Sequence, residues 1–180
     1  MEFNKYKERG AYHWDEYKNQ TIYGKHADRV NGWIRDGKTL DIGAGDGLIT
    51  SLVGAEGIEE NAIAVKLAQD RGVDVSLGDA YCLERYEDES FDNVLMADVI
   101  EHLEFPEKCL KEIKRVLKKG GLLYITTPPA KSDGTLHDTK YHYREYTLEQ
   151  LTNLLNSHFF VLEGKSFTEN QRMYVVYKND

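Results

Sequence analysis

The stretch Leu40-Asp41-Ile42-Gly43-Ala44-Gly45-Asp46-Gly47 decides how the rest of the chain folds. Residues 38–42 predict a short strand. Three glycines at alternate positions then free the backbone to take positive φ and let a ligand approach closely. Residues 48–53, Leu-Ile-Thr-Ser-Leu-Val, follow as a brief helix whose first N–H groups have no partner within it. A bare Gly-x-Gly carries little information, but one set between a strand and a helix marks a ligand seat at the carboxyl end of a strand in an open α/β sheet.

The pattern repeats outward from this loop. Residues 55–59 predict a second strand, Asn61 caps a helix over 62–71, and Gly72 closes it. Residues 73–77 form a third strand, followed by Gly78-Asp79-Ala80. Residues 91–97, Phe-Asp-Asn-Val-Leu-Met-Ala, are nearly all apolar, as suits a parallel strand covered on both faces. Residues 106–117 form an amphipathic helix with Cys109, Leu110, Ile113, Val116 and Leu117 inward, ended by Lys118, Lys119 and Gly120-Gly121. Residues 122–126 are the next buried strand, stopped by Pro128-Pro129. Thr147 caps a helix running through Leu155, and 159–162 and 173–177 close the chain as two strands joined by a short return. Before the glycine loop, Ala27, Val30, Trp33 and Ile34 place a helix over 25–35. Residues 1–24 are polar yet carry Phe3, Tyr6, Tyr12, Trp14, Tyr17 and Tyr23, too many aromatics for a disordered tail, so they form an arm or lid.

Strands alternating with helices imply right-handed crossovers. The expectation is an α/β, doubly wound, mostly parallel seven-stranded sheet with an antiparallel C-terminal strand. All 180 residues form one domain. A net charge of −8 argues against a broad phosphate-binding face, and hence against nucleic acid. Two cysteines at no metal-ligand spacing, no apolar leader and no membrane-length apolar run suit a reduced cytoplasmic protein, a monomer or a homodimer.

The ligand follows from the acids. A dinucleotide site prefers Gly-x-Gly-x-x-Gly and a pyrophosphate at the helix start. Here Asp41 precedes the glycines, and an acid there suits a ligand with an ammonium group. Glu59 ends the second strand, where a carboxylate binds both ribose hydroxyls. Asp79 ends the third beside Ala80, where it can accept from the amine of adenine. Together they match an adenosine with an amino-acid tail.

These segments, with residues 91–103 and 117–125, resemble the class I S-adenosylmethionine (SAM)-dependent methyltransferases, and the resemblance spans roughly residues 40–160. It implies a Rossmann-like methyltransferase fold, SAM as cofactor and S-adenosylhomocysteine (SAH) as product. It places Asp41, Gly43, Ala44 and Gly45 around the methionine part, Glu59 at the ribose with Glu60 as the alternative register, Asp79 and Ala80 at the adenine, and the backbone near Ala97 at the amino group.

Asp98-Val-Ile-Glu101-His102 follows the fourth strand, on the side where acceptor meets cofactor. A helical reading puts Asp98, Glu101 and His102 on one face. His102 titrates near neutrality, so it is the candidate base for an alcohol or phenol acceptor; a plain capping network is the competing interpretation. A Glu-His pair at this place resembles the ubiquinone-pathway O-methyltransferases. A divalent metal on Asp98, Glu101, His102 and either His137 or His142 would resemble the small-RNA 3′-terminal 2′-O-methyltransferases, and is the less favoured reading. The loop over 130–146 resembles the family's acceptor-pocket segment. His142 is the second catalytic candidate, and His137, Tyr143 and Arg144 are candidate acceptor contacts or loop packing. The expected function is methyl transfer from SAM to a small-molecule acceptor at an oxygen. The alternatives are the RNA-terminal enzyme and a SAM-binding protein without catalysis.

Overall fold

The computed structural model describes residues 5–131, 135–138, 140–158, 160–163, 167–169 and 172–179. Phe3, Phe159, residues 132–134 of the acceptor loop and most of the predicted return before residue 172 lie outside them.

The sheet is built around strand β1 (Thr39–Ile42), every residue of which is buried. It pairs in parallel with β2 (Glu56–Glu59) on one side and β4 (Phe91–Ala97) on the other. Strand β3 (Val75–Leu77) extends the sheet beyond β2, and β5 (Leu117–Thr127) beyond β4, both in parallel. Strand β8 (Arg172–Asn179) is antiparallel to β5, and β6 (Phe160–Leu162) is antiparallel to β8, so the order is β3-β2-β1-β4-β5-β8-β6. These seven strands are the expected doubly wound, mostly parallel sheet. One short strand was not foreseen: β7 (Phe167–Glu169) pairs with the first half of β8, within the segment the sequence suggests is a plain return.

The period of two along each strand sorts side chains between two cores. Val94, Met96, Leu123, Ile125, Val175 and Tyr177 point to the side covered by α6 (Pro106–Val116) and α7 (Leu148–Asn156). Leu95, Leu122, Tyr124 and Tyr174 point to the side covered by α3 (Ile22–Asn31) and α4 (Leu48–Val53). Helix α5 (Ala62–Gln69) packs Val65 and Ala68 on Ala44 and Val75. Helix α7 starts with a capping box: the Thr147 hydroxyl accepts from Gln150 N, and the Gln150 side chain accepts from Thr147 N.

Three local predictions shift. Helix α3 begins at Ile22 rather than 25, because the Thr21 hydroxyl accepts from Gly24 N at 3.3 Å and caps it. Trp33 and Ile34, read as its last turn, lie beyond its end, and Trp33 packs edge-on to Tyr124 and Tyr174. Helix α6 passes straight into β5 without a glycine cap; Gly120, at φ 78°, instead sits in an irregularity where the register slips between Phe91 and Asn93. The arm folds as α1 (Lys5–Arg9) and α2 (Tyr12–Lys18).

Leu95 is fully buried between β1 and β5. Leu95→Ala is expected to lower stability by about 2–5 kcal/mol, read from the denaturant midpoint at unchanged m-value. Thr147→Ala, which removes the cap alone, is expected to cost about 1 kcal/mol.

Candidate active site

The glycine loop turns through three left-handed residues: Gly43, Gly45 and Gly47 have φ of 74°, 57° and 80°. Space is limiting as well as conformation. A Cβ on Gly43 would come within 2.5 Å of a Val99 methyl, and one on Gly45 within 2.3 Å of the Tyr6 hydroxyl. Gly43 N and Ala44 N both donate to the Ile58 carbonyl, at 2.9 and 3.0 Å, which folds the loop back over β2.

Glu59 locks it there. Its Oε2 accepts from Gly45 N at 2.9 Å and its Oε1 from Asn61 N at 2.8 Å, so one carboxylate joins the loop to the start of α5. Burial raises its pKa. Glu60 is exposed, which favours Glu59 in the choice of register. Asp41 lies deeper, only 2% exposed, and its Oδ2 accepts from the Thr50 hydroxyl at 2.7 Å; burial pushes its pKa up to about 7. It braces the loop against α4 from behind. Asp79 is exposed at the end of β3 and accepts from Tyr81 N, with Ala80 half-buried beside it. Ala97, also half-buried, ends β4. The donors and acceptors therefore stand at adjacent strand ends, around a cradle that any Cβ would fill, and they fit an adenosine with an amino-acid tail.

The arm closes over this seat. His13 N donates to Asp46 Oδ2 at 3.0 Å, His13 Nδ1 lies 3.1 Å from Asp46 Oδ1, and the Trp14 indole donates to the Asp46 carbonyl at 2.9 Å. His13 stacks on Tyr23 with centroids 4.4 Å apart, and Tyr12 lies tilted against His13 at 4.0 Å.

On the acceptor side the one-face reading of Asp98, Glu101 and His102 does not hold. Asp98 is left-handed, at φ 56°, and only Ile100–His102 turn helically, as a 3-10 segment. Asp98 takes partners of its own, whereas Glu101 and His102 stay within reach of each other. Asp98 is bonded by Arg172 Nε at 2.5 Å and by the Thr126 hydroxyl at 3.2 Å. Burial raises its pKa, but the Arg172 guanidinium outweighs this and holds it below the usual carboxylate value. Glu101 Oε2 accepts from the Thr127 hydroxyl at 2.9 Å, whereas its buried Oε1 has no partner among the described residues. Burial and then Asp98 raise the Glu101 pKa.

His102 bonds the Tyr141 carbonyl through Nδ1 at 3.0 Å. A carbonyl only accepts, so Nδ1 carries the proton and Nε2 is left as an acceptor. Burial lowers the His102 pKa. The His142 ring stands edge-on to it, centroids 4.8 Å apart, with Nδ1 held by Glu145 Oε1 at 2.6 Å. Glu145 also binds His137, at both its N and Nδ1, so His137 orients the loop while His142 reaches the site. One ligand atom each from Glu101, His102 and His142 lie within 4.8 Å of one another. With both Nδ1 atoms held by hydrogen bonds and Glu101 Oε1 without a partner among the described residues, the set fits a divalent cation.

Sequence reasoning missed two participants. Arg172 neutralises Asp98 from 74 residues away, and no local pattern marks such a partner. His26, fully buried on α3, bonds the Tyr174 hydroxyl at 2.8 Å, and burial lowers its pKa to about 4.

Residues 40–125 match the model of the methyltransferase domain. An uncharacterized protein of Methanocaldococcus jannaschii is 34% identical over 124 residues, which cover 68% of this chain and 59% of that protein. The mitochondrial ubiquinone biosynthesis O-methyltransferase of Mus musculus is 37% identical over 107 residues, covering 50% of this chain and 28% of that enzyme. The chain thus spans less than two thirds of the length of these relatives. Among solved structures, a SAM-dependent methyltransferase of Thermotoga maritima, described as a possible histamine N-methyltransferase, superposes with a TM-score of 0.74 at 24% identity, covering 86% of this chain and 87% of that one. With the glycine cradle, the strand-end carboxylates and the sheet order, these matches place the chain in the class I SAM-dependent methyltransferase family, whose methyl donor is S-adenosylmethionine.

Proposed function

We propose that the protein transfers a methyl group from SAM to an oxygen of a small-molecule acceptor, with His102 as the base. The observation that carries this is the His102 tautomer: Nδ1–H is committed to the Tyr141 carbonyl, which makes Nε2 the acceptor nitrogen, in the turn that follows β4. SAM supplies an electrophilic methyl on a cationic sulfur. The protein's part is to align and to remove a proton. Glu59 and the glycine cradle hold the adenosine end, and Asp79 and Ala80 receive the adenine. His102 Nε2 would take the acceptor's hydroxyl proton, and SAM, when bound, would supply the methyl group to that oxygen. The similarity to ubiquinone biosynthesis O-methyltransferases supports oxygen as the target. No helix among the described residues is long and apolar enough to cross a membrane, and Cys82 and Cys109 are free thiols, in keeping with a cytoplasmic protein of one domain.

The unpartnered Glu101 Oε1 favours a second reading. Glu101, His102 and His142 would hold a divalent metal that polarises the acceptor hydroxyl, as would suit a terminal ribose of RNA. Asp98, ion-paired to Arg172, and His137, bound to Glu145, would stand outside that set.

Methyl transfer from labelled SAM to phenol, sugar, amine and RNA acceptors, with and without chelator, separates the readings. Activity on phenols or sugars that survives chelation supports the base; chelator-sensitive activity on RNA supports the metal. SAM affinity with no turnover on any acceptor would leave a binding protein. His102→Ala is expected to lower kcat by about 10²–10⁴-fold. Because burial lowers the His102 pKa, its neutral form persists to lower pH, so the acid limb of kcat should fall below the ordinary histidine value of about 6.5. A limb at or above that value contradicts the assignment. Glu59→Gln is expected to weaken SAH binding about tenfold or more by calorimetry; unchanged affinity would remove Glu59 from the site.

A further inference from the structure

We propose that a cavity between the acceptor loop and α7 is an oxyanion site, which takes the carboxylate or phosphate group of the methyl acceptor. The proposal rests on the reading of the protein as a methyltransferase of small molecules and narrows the chemistry of that acceptor.

The cavity holds about 340 Å³, room for a small organic group, and its lining includes Lys131, Tyr143, Arg144, Glu145, Thr147 and Gln150. It forms where the chain beyond β5 runs beside the start of α7. There Ala130 N donates to the Tyr146 carbonyl at 2.9 Å.

Its polar atoms are unequally divided. The capping box occupies acceptors: Thr147 Oγ1 accepts from Gln150 N at 3.1 Å, and Gln150 Oε1 accepts from Thr147 N at 2.9 Å. The Thr147 O–H and the Gln150 amide N–H groups are left to donate. Lys131 Nζ donates to the Leu136 carbonyl at 3.1 Å and keeps its other N–H groups. The Arg144 guanidinium stands near the Tyr146 hydroxyl; burial raises the pKa of that hydroxyl and the guanidinium lowers it. Neither Lys131 nor Arg144 has an ion-pair partner among the described residues. Glu145 is the one acid in the lining, and three donors already hold its oxygens: His137 N and His142 Nδ1 at Oε1, and His137 Nδ1 at Oε2. Donors therefore exceed acceptors, and unpaired cations exceed unpaired acids. An oxyanion, which only accepts, completes such a lining, and its bonds to the two cations are charge-assisted.

The backbone ties the cavity to the base. Tyr143 N and Arg144 N donate to the Glu101 carbonyl at 2.9 and 3.3 Å, next to His102 in the chain. His142 precedes them, and the glutamate that holds it also walls the cavity. Residues 142–145 are thus a shared wall, with the histidine pair at one end and the cations at the other. Tyr143, 55% exposed, adds an aromatic side chain along which the body of an acceptor can lie.

The test titrates the SAH-bound protein with anions while chloride holds the ionic strength constant, and reads amide and side-chain resonances. Inorganic phosphate and acetate separate the two oxyanions. At least one of them is expected to shift Arg144, Thr147 and Gln150 saturably, with affinity about tenfold weaker in Arg144→Gln and in Lys131→Gln. No saturable shift with either anion, or an affinity that both variants leave unchanged, overturns the proposal. Two matched pairs then join the site to the acceptor: glycerol 3-phosphate with glycerol, and 4-hydroxyphenylacetate with 4-methylphenol. The anionic member of a pair is expected to bind about tenfold tighter or more and to move the His102 ring resonances. Equal affinity within both pairs, or anion binding that leaves His102 unmoved, overturns it. Neither titration needs turnover, so failure of this site is distinguishable from failure of the proposed function, which the methyl-transfer screen reads.

Discussion

Three left-handed glycines in five residues are the constraint on which the site depends. They fold the chain back at the end of β1 so sharply that Gly43 and Ala44 share one carbonyl of β2. That reversal brings Gly45 N under the Glu59 carboxylate, starts α4 where Thr50 can reach Asp41, and turns Asp46 toward the arm. Each of these contacts needs the backbone where a side chain would otherwise be. A residue with a Cβ at Gly43 or Gly45 would be strained by its φ and would also collide with Val99 or Tyr6.

The acceptor half obeys a different constraint, the spacing of buried acids. Asp98 and Glu101 are three residues apart, Glu145 stands on the loop whose Tyr143 N–H bonds the Glu101 carbonyl, and each carboxylate has its own partners. Arg172 neutralises Asp98, Thr127 bonds one oxygen of Glu101, and two histidines share Glu145. Glu145 shows the balance: burial raises its pKa, but its bonds from His142 and His137 bring it below the ordinary value. Of these three acids, only Glu101 has an oxygen without a partner among the described residues.

Much of this was legible from sequence where the determinants are local. The strand over 91–97 and the helix over 48–53 match their predicted bounds, because apolar runs and glycine punctuation act at short range. The acids at the ends of β2 and β3 were readable for the same reason. The segment over 98–102 was not. Helical spacing suggested one face, but Asp98 is pulled into a left-handed turn by a guanidinium from the far end of the chain. The choice between His137 and His142 likewise depended on how one glutamate divides its two oxygens. Strand β7 escaped notice because three residues are too few to show a period. The arm was recognised by its aromatics, yet Tyr6 packs against Gly45, which has no side chain to signal the contact.

The pairing of Arg172 with Asp98 also bears on how the protein is made. A chain emerging from the ribosome presents β1 to β4 and their helices long before β8, and those elements can pack as they appear. The cofactor half of the sheet is therefore complete in all but its neighbours while the guanidinium is still untranslated. Until residue 172 emerges, Asp98 has the Thr126 hydroxyl but lacks the guanidinium that holds its pKa down, so burial pushes it toward the neutral form. The turn at Asp98 thus acquires its counter-ion only after the glycine loop and its neighbouring strands have been synthesised.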